Sequence, residues 1–571
     1  RWLHLPQRQL PLHINTGTEW RPSSEALNAK TNLRAQLSFI PTTQLDSCLS
    51  ASRSRYKTTD QTAKGTRTVK APVLMIQGTS SSVGKSLLVT GLCRLFKNRG
   101  LKVAPFKAQN MALNSYVTPE GAEIGRAQAV QADAAGVEPT AAMNPVLLKP
   151  EGDRLSQVVV MGKAVRSMSA KGYHQMKPQL RSLIAESIDQ LRDDYDLVII
   201  EGAGSPAEIN LKANDIVNMS VAKAAQAPVL LVGDIDRGGV FASFVGTMEL
   251  LDDEEKDLVA GFVVNKFRGD VSLLEPGIDF LEDRCQKKNY GIVPYVKDLR
   301  LAEEDSIALH ERPTGLSLSP RKIDIGIIKL PRISNYDEFD ALEHEAGVHV
   351  AYISDIESVL DCDLLIIPGS KNTSTDLQWL YETELAAAIK ERAKNGDPIL
   401  GICGGCQILG QKIADPLGIE STIEEIDGLA LLEHSTVMER DKWTTQAKVA
   451  LEADTFGLKK GQVYRGYEIH VGRLTNLARP LFTITERNRK DCHALDGSYQ
   501  EGILGTLIHG LFDDDTFRES ILSFLAERKG MERRELPKIA SRDEEYDRLA
   551  ATLEEHLDMP ELEKLLERQR S

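Results

Sequence analysis

Short runs of consecutive apolar residues alternate along the chain with longer stretches in which apolar residues return every three to four positions. Continuous apolar runs are typical of parallel strands buried on both faces, and the longer period is typical of helices that cover such a sheet. The first series of predicted strands comprises residues 73–76, 197–200, 229–232 and 261–264. Helical patterns between them include residues 86–97 and 174–191. This alternation predicts a doubly wound α/β domain.

A second α/β series follows a break in the pattern. Around residues 311–322, Pro, Gly and Ser occur without periodicity, which predicts a linker. The strands predicted after it are residues 323–330, 348–353, 364–367, 398–402 and 503–508. The last part of the chain is charged and amphipathic, as helices would be. We therefore predict two parallel-sheet domains, residues 71–310 and 323–515, joined by the linker and followed by C-terminal helices over 516–571.

Composition and charge narrow the class of protein. The chain has 571 residues, which is too long for one core, and its 42% hydrophobic and 27% charged residues are those of a globular protein. A net charge of −14 argues against general nucleic-acid binding, and no apolar run approaches the ~20 residues that span a membrane. The seven scattered cysteines predict a reducing compartment, and hence a cytoplasmic location.

The first seventy residues differ from the rest. They hold eleven Arg or Lys and four Asp or Glu, and they are rich in Ser and Thr with little apolar periodicity. An organellar targeting segment has such a composition. A disordered extension is the alternative that we favour for residues 1–70, and no chemistry is expected in it.

A Gly- and Ser-rich loop, residues 78–86, lies between the first predicted strand and a helix. In that setting glycines let backbone N–H groups turn inward around phosphate oxygens. A lysine then reaches the β- and γ-phosphates, and a serine hydroxyl ligates Mg²⁺. Five residues separate the two glycines instead of four, so this is a variant P-loop. Its predicted ATP- and Mg²⁺-binding residues are Gly78, Thr79, Gly84, Lys85 and Ser86.

Polar residues end the neighbouring strands of the first series. Glu201 closes one strand beside glycines and is the predicted Mg²⁺ ligand, with a solvated loop acid as the alternative. Asp234 and Asp236 are weaker candidates of the same kind. Asn265 ends a further strand, where a P-loop fold commonly recognises the nucleotide base.

The second series contains a strand, a sharp turn and a helix around Cys403, which lies between Ile402 and Gly404. A thiol on such a turn is lifted out of the sheet, and the helix N-terminus favours the thiolate. Cys403 is therefore the predicted nucleophile, against the alternative of a buried structural thiol. Cys403 and Cys406 also form a Cys-x-x-Cys pair, but a redox or zinc role is disfavoured because no second pair exists.

The proposed nucleophile needs a base and an oxyanion site. His509 closes a predicted strand in the same series and can take the thiol proton, although a histidine there can also be structural. Gly369 and Ser370 follow another strand. Their backbone, with the N–H of Gly404, is predicted to stabilise an oxyanion.

Many stretches closely resemble one family, the cobyric acid synthases, which are glutamine-dependent amidotransferases of corrin biosynthesis. The resemblance runs from about Pro72 to Leu566. The stretches that carry it are residues 105–111, 123–129, 143–150, 214–219, 234–239, 330–335, 368–373 and 466–470. It implies a dethiobiotin-synthetase-type ATPase domain followed by a class I glutamine amidotransferase domain.

The resemblance also implies roles for individual residues. Lys107 would lie near the transferred phosphate, Glu201 would bind metal, and Cys403 with His509 would hydrolyse glutamine. The residues expected to face the corrinoid are Gln109, Asn110, Tyr467, Glu468 and His470. The alternative for residues 466–470 is that they face the domain interface or form a packed strand, without contact to the corrinoid.

Two positions depart from the wider amidotransferase pattern. Triad-type enzymes carry an acid two residues after the histidine, but Leu511 occupies that position here, as is common in cobyric acid synthases. The group that orients His509 is therefore left open. Cys406 stands where the family often has an aromatic residue, which adds a second thiol near the nucleophile.

The implied reaction is amidation of the b, d, e and g carboxylates of adenosylcobyrinic acid a,c-diamide, with ATP and glutamine. The cobalt belongs to that substrate, so Mg²⁺ is the only metal expected on the protein. No nucleic-acid or membrane partner is expected, and the oligomeric state is left open. The alternatives are a cobyrinic acid a,c-diamide synthase and an amidoligase for another acceptor. A P-loop regulatory module with an inactive glutaminase is disfavoured by intact Lys85, Ser86, Cys403 and His509.

Overall fold

The structure is a computed structural model that describes residues 70–152, 155–297, 299, 301, 312–531 and 541–570. The predicted N-terminal extension lies outside these residues except for Lys70. The strands are β1 Val73–Gly78, β2 Val103–Phe106, β3 Gln109–Met111, β4 Ser115–Val117, β5 Glu123–Gly125, β6 Val146–Gly152, β7 Leu155–Val160, β8 Lys163–Ser169, β9 Leu197–Glu201, β10 Val229–Asp234, β11 Val259–Phe267, β12 Lys288–Pro294, β13 Ile323–Ile328, β14 Val348–Ile353, β15 Leu364–Ile367, β16 Ile399–Ile402, β17 Lys412–Ala414, β18 Glu425–Asp427, β19 Ser435–Leu451, β20 Val463–Thr475, β21 Phe482–Arg487, β22 Lys490–Asp496, β23 Ser498–Gln500, β24 Ile503–Thr506 and β25 Ile508–His509.

Helices connect these strands and cover the sheets. The α-helices are α1 Lys85–Asn98, α2 Arg126–Ala134, α3 Ala170–Asp194, α4 Met219–Ala225, α5 Val240–Leu250, α6 Asp253–Leu258, α7 Glu275–Cys285, α8 Asp340–Glu343, α9 Ile356–Asp361, α10 Thr373–Glu382, α11 Leu385–Lys394, α12 Gly404–Leu409, α13 Asp515–Arg528, α14 Arg542–His556 and α15 Met559–Glu567. Short 3₁₀ helices span Ala141–Met143, Lys212–Asn214, Val271–Leu273, Tyr336–Phe339 and Leu511–Asp513. Among the helices described, none is both long and apolar enough to cross a membrane.

The first half of the chain forms a six-stranded sheet in the order β12-β11-β10-β1-β9-β2, with every pair parallel. Its central strands β1, β9 and β10 are buried along their whole length, as their unbroken apolar sequences require. The carboxyl ends of these strands meet at one edge of the sheet. That edge carries the P-loop after β1, Glu201 in β9 and Asp234 in β10.

The second half is built on a sheet in the order β14-β13-β15-β16-β24-β23, which is parallel except for β23. The prediction of two doubly wound sheets is thus confirmed. The single strand predicted over residues 503–508 is wrong, because β24 ends at Thr506 and β25 pairs with β20 in another sheet. The backbone turns there because the Leu507 N–H donates to Asp496 (3.1 Å) and the Ile508 N–H donates to the Thr506 hydroxyl (3.0 Å).

Further strands, most of them antiparallel, form sheets outside the two predicted strand series. One sheet has the core order β18-β17-β19-β20-β25, and β21 and β22 extend it from β19. Four further strands form the order β3-β6-β7-β8 next to the first sheet. Residues 466–470 belong to β20, so this family-specific stretch lies in the part of the strand where Tyr467 pairs with His509.

The C-terminal helices divide between the two halves. Ile521 and Leu525 of α13 join the apolar core of the second half. Beyond residue 540, Leu553 of α14 and Leu562 of α15 join the core of the first half. Arg94 of α1 fixes α14 with ion pairs to Asp543 (2.7 Å) and Asp547 (2.6 Å). The end of the chain therefore covers the helix that follows the P-loop.

Gly91 permits the close approach of α1 and α14. A Cβ at Gly91 would lie 2.5 Å from Leu553 Cδ1 and 2.9 Å from Leu549 Cγ. We expect Gly91→Val to lower the free energy of unfolding by about 1–3 kcal/mol, because the added methyl groups wedge the helices apart. Urea denaturation measures the change. Gly246→Val in α5, where a Cβ meets nothing within 4 Å, is the matched control for helix propensity, and an equal loss in both variants would contradict the packing explanation.

Candidate active site

Cys403 stands between β16 and α12 with φ 50° and ψ −106°, a conformation that residues other than glycine rarely adopt. Glycines around it let the chain cross closely. A Cβ at Gly405 would lie 1.8 Å from the Ile367 carbonyl oxygen, and one at Gly401 would lie 2.6 Å from that of Gly405. Such strain costs about 1–3 kcal/mol and persists at functional sites where the surrounding packing enforces it. The sharp turn predicted at Cys403 is present.

His509 and a residue that the sequence analysis missed form a buried pair near this turn. Nδ1 of His509 lies 2.9 Å from Oε1 of Glu338, and the N–H of Gly510 donates to the other carboxylate oxygen (3.1 Å). His509 is fully buried and Glu338 is 2% exposed. Glu338 is therefore the acid that orients the imidazole, and it takes the place of the acid absent at Leu511. It follows the family-specific stretch 330–335 by three residues, which is the only sequence signal for it.

Charge determines the protonation state of this histidine. Burial lowers the pKa of His509, but the negative charges of Glu338 and the Cys403 thiolate outweigh burial and raise the pKa to about 10. An imidazolium beside a thiolate is the reactive form of a cysteine–histidine pair. Nε2 of His509 is the buried nitrogen that Glu338 does not hold, and the charge and hydrogen bond of Cys403 contribute to the raised pKa of the ring. This nitrogen can therefore exchange a proton with Cys403 or with a bound molecule.

The loop after β15 lies against His509 and against the turn that carries Cys403. A Cβ at Gly369 would be 3.1 Å from Cε1 of His509, and one at Gly404 would be 2.9 Å from the Ser370 nitrogen. The Ser370 hydroxyl donates to buried Asp376 (2.7 Å), which holds the loop in place. The predicted oxyanion residues are thus brought together with Cys403.

The stretch from Tyr467 to His470 lies on the other side of His509. The Tyr467 ring stacks on the imidazole, with centroids 5.3 Å apart and planes 14° apart. Glu468 accepts two hydrogen bonds from Arg487 (2.6 and 2.8 Å), and Nδ1 of His470 lies 2.7 Å from the Gly472 carbonyl oxygen. Burial raises the pKa of Glu468, but hydrogen bonds from His470 and Arg487 outweigh it and lower the pKa to about 2. These three residues belong to β20, which pairs with the short strand that contains His509. Their contact with a corrinoid stays a prediction.

The P-loop is closed around its lysine in the first half. Lys85 donates to the carbonyl oxygens of Ser80 (2.9 Å) and Gly204 (3.3 Å). Gly84 has φ 94° and lies so close to Asn265 that a Cβ would be 2.2 Å from its amide nitrogen. That amide donates to the Val83 carbonyl oxygen (2.8 Å). Asn265 thus buttresses the loop, and base recognition by it stays a prediction.

Three polar side chains donate hydrogen bonds to the carboxylate of Glu201, which is 1% exposed. Oε1 of Glu201 accepts hydrogen bonds from Ser86 (2.8 Å) and Lys107 (2.9 Å), and Oε2 accepts one from Gln131 (2.5 Å). Burial raises the pKa of Glu201, but the charge and hydrogen bond of Lys107 outweigh it and lower the pKa. The predicted residues Ser86, Lys107 and Glu201 therefore lie together beside the P-loop, and Gln131 is an addition to them.

Other candidates lie nearby with their own partners. Asp234 ion-pairs with Lys266 (3.2 Å) and receives the Asp236 N–H (2.9 Å). Gln109 accepts a hydrogen bond from the Tyr173 hydroxyl (2.6 Å), and buried Asn110 donates to Gln128 (3.1 Å). Whether Gln109 and Asn110 face the corrinoid stays a prediction.

Two family models match the chain. The CobQ/CobB/MinD/ParA nucleotide binding domain matches residues 74–309, and the CobB/CobQ-like glutamine amidotransferase domain matches residues 324–517. Together they cover the two parallel sheets and the residues described above.

Curated relatives match almost their full length. The chain is 51% identical over 513 residues to a cobyric acid synthase of Sorangium cellulosum, with 87% of this chain and 99% of the relative covered. It is 50% identical over 506 residues to a cobyric acid synthase of Dehalococcoides mccartyi, with 87% and 98% covered. A cobyric acid synthase of Caldanaerobacter subterraneus is 49% identical over 508 residues, with 87% and 99% covered.

The Glu338–His509 pair generates a pH prediction. Because the carboxylate raises the pKa of His509, Glu338→Gln should lower that pKa, so that the imidazolium is lost at a lower pH. We expect glutamine hydrolysis to fall about tenfold to a hundredfold and its alkaline limb to move to lower pH. Initial rates of glutamate release across pH measure both effects. Glu357→Gln, at an exposed position of α9, is the control, and an unmoved alkaline limb in Glu338→Gln would count against the pair.

Proposed function

The chain belongs to the cobyric acid synthase family, and we propose that it amidates the b, d, e and g carboxylates of adenosylcobyrinic acid a,c-diamide with ATP and glutamine. The product is adenosylcobyric acid. One observation carries the assignment of residues: Glu338 and Cys403 both interact with the buried His509. In the same chain, the P-loop residue Ser86 and Lys107 share the carboxylate of Glu201.

The first half would activate the acceptor. A carboxylate does not react with ammonia because its leaving group would be oxide. An oxygen of the acceptor carboxylate attacks the γ-phosphorus of ATP, ADP leaves, and the acyl phosphate formed has phosphate as its leaving group. The P-loop N–H groups and Lys85 bind the phosphates, and Lys107 stabilises charge on the group in transfer. Four such cycles convert four carboxylates.

Mg²⁺ fits the oxygen donors at this site. Ser86 and Glu201 offer a hydroxyl and a carboxylate oxygen 2.8 Å apart. No cluster of three or more His, Cys, Asp or Glu side chains that could enclose a metal occurs in the described part of the chain. Mg²⁺ commonly takes one or two protein oxygens together with substrate phosphates, which agrees with this donor set. When bound, it would neutralise phosphate charge.

The second half would release ammonia. The Cys403 thiolate attacks the carboxamide carbon of glutamine, and backbone N–H groups of Gly404 and the 369–370 loop stabilise the oxyanion. The His509 imidazolium protonates the leaving ammonia, which leaves a thioester on Cys403. His509 then takes a proton from water, and the resulting hydroxide releases glutamate. Glu338 keeps Nδ1 occupied, so that Nε2 moves each proton.

The runner-up acceptor is less well supported. A cobyrinic acid a,c-diamide synthase would use the same two domain types on other carboxylates, but the curated relatives reported above all carry the name cobyric acid synthase. A cytoplasmic location and the absence of nucleic-acid and membrane partners remain predictions from charge and cysteine content.

Replacement of Cys403 should separate the activities of the two halves. We expect Cys403→Ala to lower glutamine-dependent amidation by about a thousandfold or more, because no thioester can form. Ammonium-dependent amidation should persist, since ammonia reaches the acyl phosphate without the thiol. Mass spectrometry of the corrinoid measures both. Cys492→Ala, a half-buried thiol outside the site, is the control. Loss of both activities in Cys403→Ala would contradict a separate glutaminase.

Replacement of Glu201 should lower amidation with either nitrogen source, glutamine or ammonium. We expect Glu201→Gln to lower ATP-dependent amidation by about a hundredfold with glutamine or ammonium, because the acyl phosphate is needed in either case. The Mg²⁺ concentration for half-maximal phosphate release should also rise. Glu208→Gln, at an exposed acid of the same loop region, is the control. An unchanged Mg²⁺ requirement would exclude Glu201 as the ligand.

A further inference from the structure

Arg126 is a buried cation where the two halves meet. It is the first residue of α2 in the ATPase half, and its guanidinium is 11% exposed. It ion-pairs with Asp337 (2.8 Å) and approaches Asp513 (3.7 Å), both in the glutaminase half. A buried charge is retained only with partners, because removal from water is expensive. Arg126 has no role in the reaction steps above.

Its two partners lie on the two segments that carry the glutaminase acid and base. Asp337 directly precedes Glu338 in the 3₁₀ helix Tyr336–Phe339. Asp513 ends the 3₁₀ helix that begins two residues after His509. One guanidinium therefore spans the turn that presents Glu338 and the turn that follows His509.

Neighbours of Arg126 contact the first of these segments and the ring that stacks on His509. The Tyr336 N–H donates to the Asn114 side chain (3.2 Å), and the Ser115 N–H donates to the Asn335 side chain (3.1 Å). The Tyr116 ring lies 5.8 Å from the Arg126 guanidinium and 6.3 Å from the ring of Tyr467, which stacks on His509. The ATPase half thus supports the glutaminase triad from two sides.

We propose that Arg126 of the ATPase half is a positioning residue of the glutaminase: by pairing with Asp337 and Asp513 it holds Glu338 and His509 in register. The inference rests on the proposed glutaminase function of Cys403. Glutamine hydrolysis is then fully competent only when the two halves are docked, which protects glutamine from unproductive hydrolysis.

The electrostatics of the partner agree with this role. Burial raises the pKa of Asp337 and Arg126 opposes it, leaving the pKa at about 6. Without Arg126, burial would favour a neutral carboxyl, and the turn that carries Glu338 would lose its ionic attachment. A small rotation of that turn is enough to misplace a proton donor.

The next turn of α2 contacts the proposed ATP site. Gln131, five residues after Arg126, donates to the carboxylate of Glu201 (2.5 Å). Five residues of helix span about 7.5 Å, so one short helix contacts both the proposed metal ligand and the glutaminase support. A shift of α2 on nucleotide binding would therefore also change the contact of Arg126 with Asp337.

The test compares glutamine and ammonium as nitrogen sources in the full-length protein with ATP, Mg²⁺ and the corrinoid. For Arg126→Ala and the isosteric Asp337→Asn, we expect kcat for glutamine hydrolysis to fall about tenfold or more with KM within about twofold. Ammonium-dependent amidation should stay within about twofold, which also shows that the variants fold. Arg126→Lys should recover part of the glutamine activity because it restores the charge without the planar fork.

The matched control is Arg489→Ala, which breaks an exposed ion pair with Glu138 between the same halves. Equal falls with glutamine and ammonium in both test variants, or glutamine kinetics no different from the control, would overturn the role of Arg126. Cys403→Ala, measured alongside, tells this failure from failure of the proposed function. If Cys403→Ala still hydrolyses glutamine, the glutaminase assignment fails, whereas normal Arg126→Ala beside an inactive Cys403→Ala overturns the positioning role alone.

Discussion

The buried contact between Glu338 and His509 is the interaction on which the glutaminase depends. A carboxylate and an imidazole removed from water are stable only as a pair, so the contact fixes both the charge and the orientation of the ring. The strained turn at Cys403 then presents a thiol to a histidine that already favours the protonated form. The Gly369 loop and the stacked ring of Tyr467 pack against that histidine.

In both halves the proposed site residues lie at the carboxyl ends of parallel strands, where loops converge and helices begin. They are nevertheless not independent. The last helices of the chain return from the glutaminase to cover α1 beside the P-loop. Ion pairs also cross between the halves, such as the partly buried pair of Lys371 with Glu151 (2.9 Å). Ammonia is a small neutral molecule that becomes unreactive ammonium in water, so close docking of the halves has a chemical purpose.

Local sequence patterns predicted the parts of the site that lie within one strand, turn or helix. The P-loop, the Cys403 turn and His509 were each found from a short stretch of sequence. Glu201 was found because it ends a strand, and Ser86 because it lies in the first turn of the helix after the P-loop. Glu338 was missed because it reaches His509 from 171 positions away and follows no strand. The long strand β19 was missed because its buried residues are not consecutive, so it lacks the unbroken apolar run used to find strands. In β20 the consecutive buried residues include the polar Glu468 and His470, which interrupt the apolar run. The return of α14 to the first half is likewise a tertiary contact without a local signal.

In the proposed mechanism, ammonia made at Cys403 is used inside the protein at the ATP site. The most direct test of this transfer supplies glutamine labelled with ¹⁵N at the side-chain amide together with excess unlabelled ammonium, and measures the isotope in the corrinoid product by mass spectrometry. Transfer within the protein predicts that most new amides carry ¹⁵N despite the unlabelled ammonium outside. Product amides that match the isotope ratio of the bulk ammonium would contradict the claim, because the released ammonia would have mixed with solvent first.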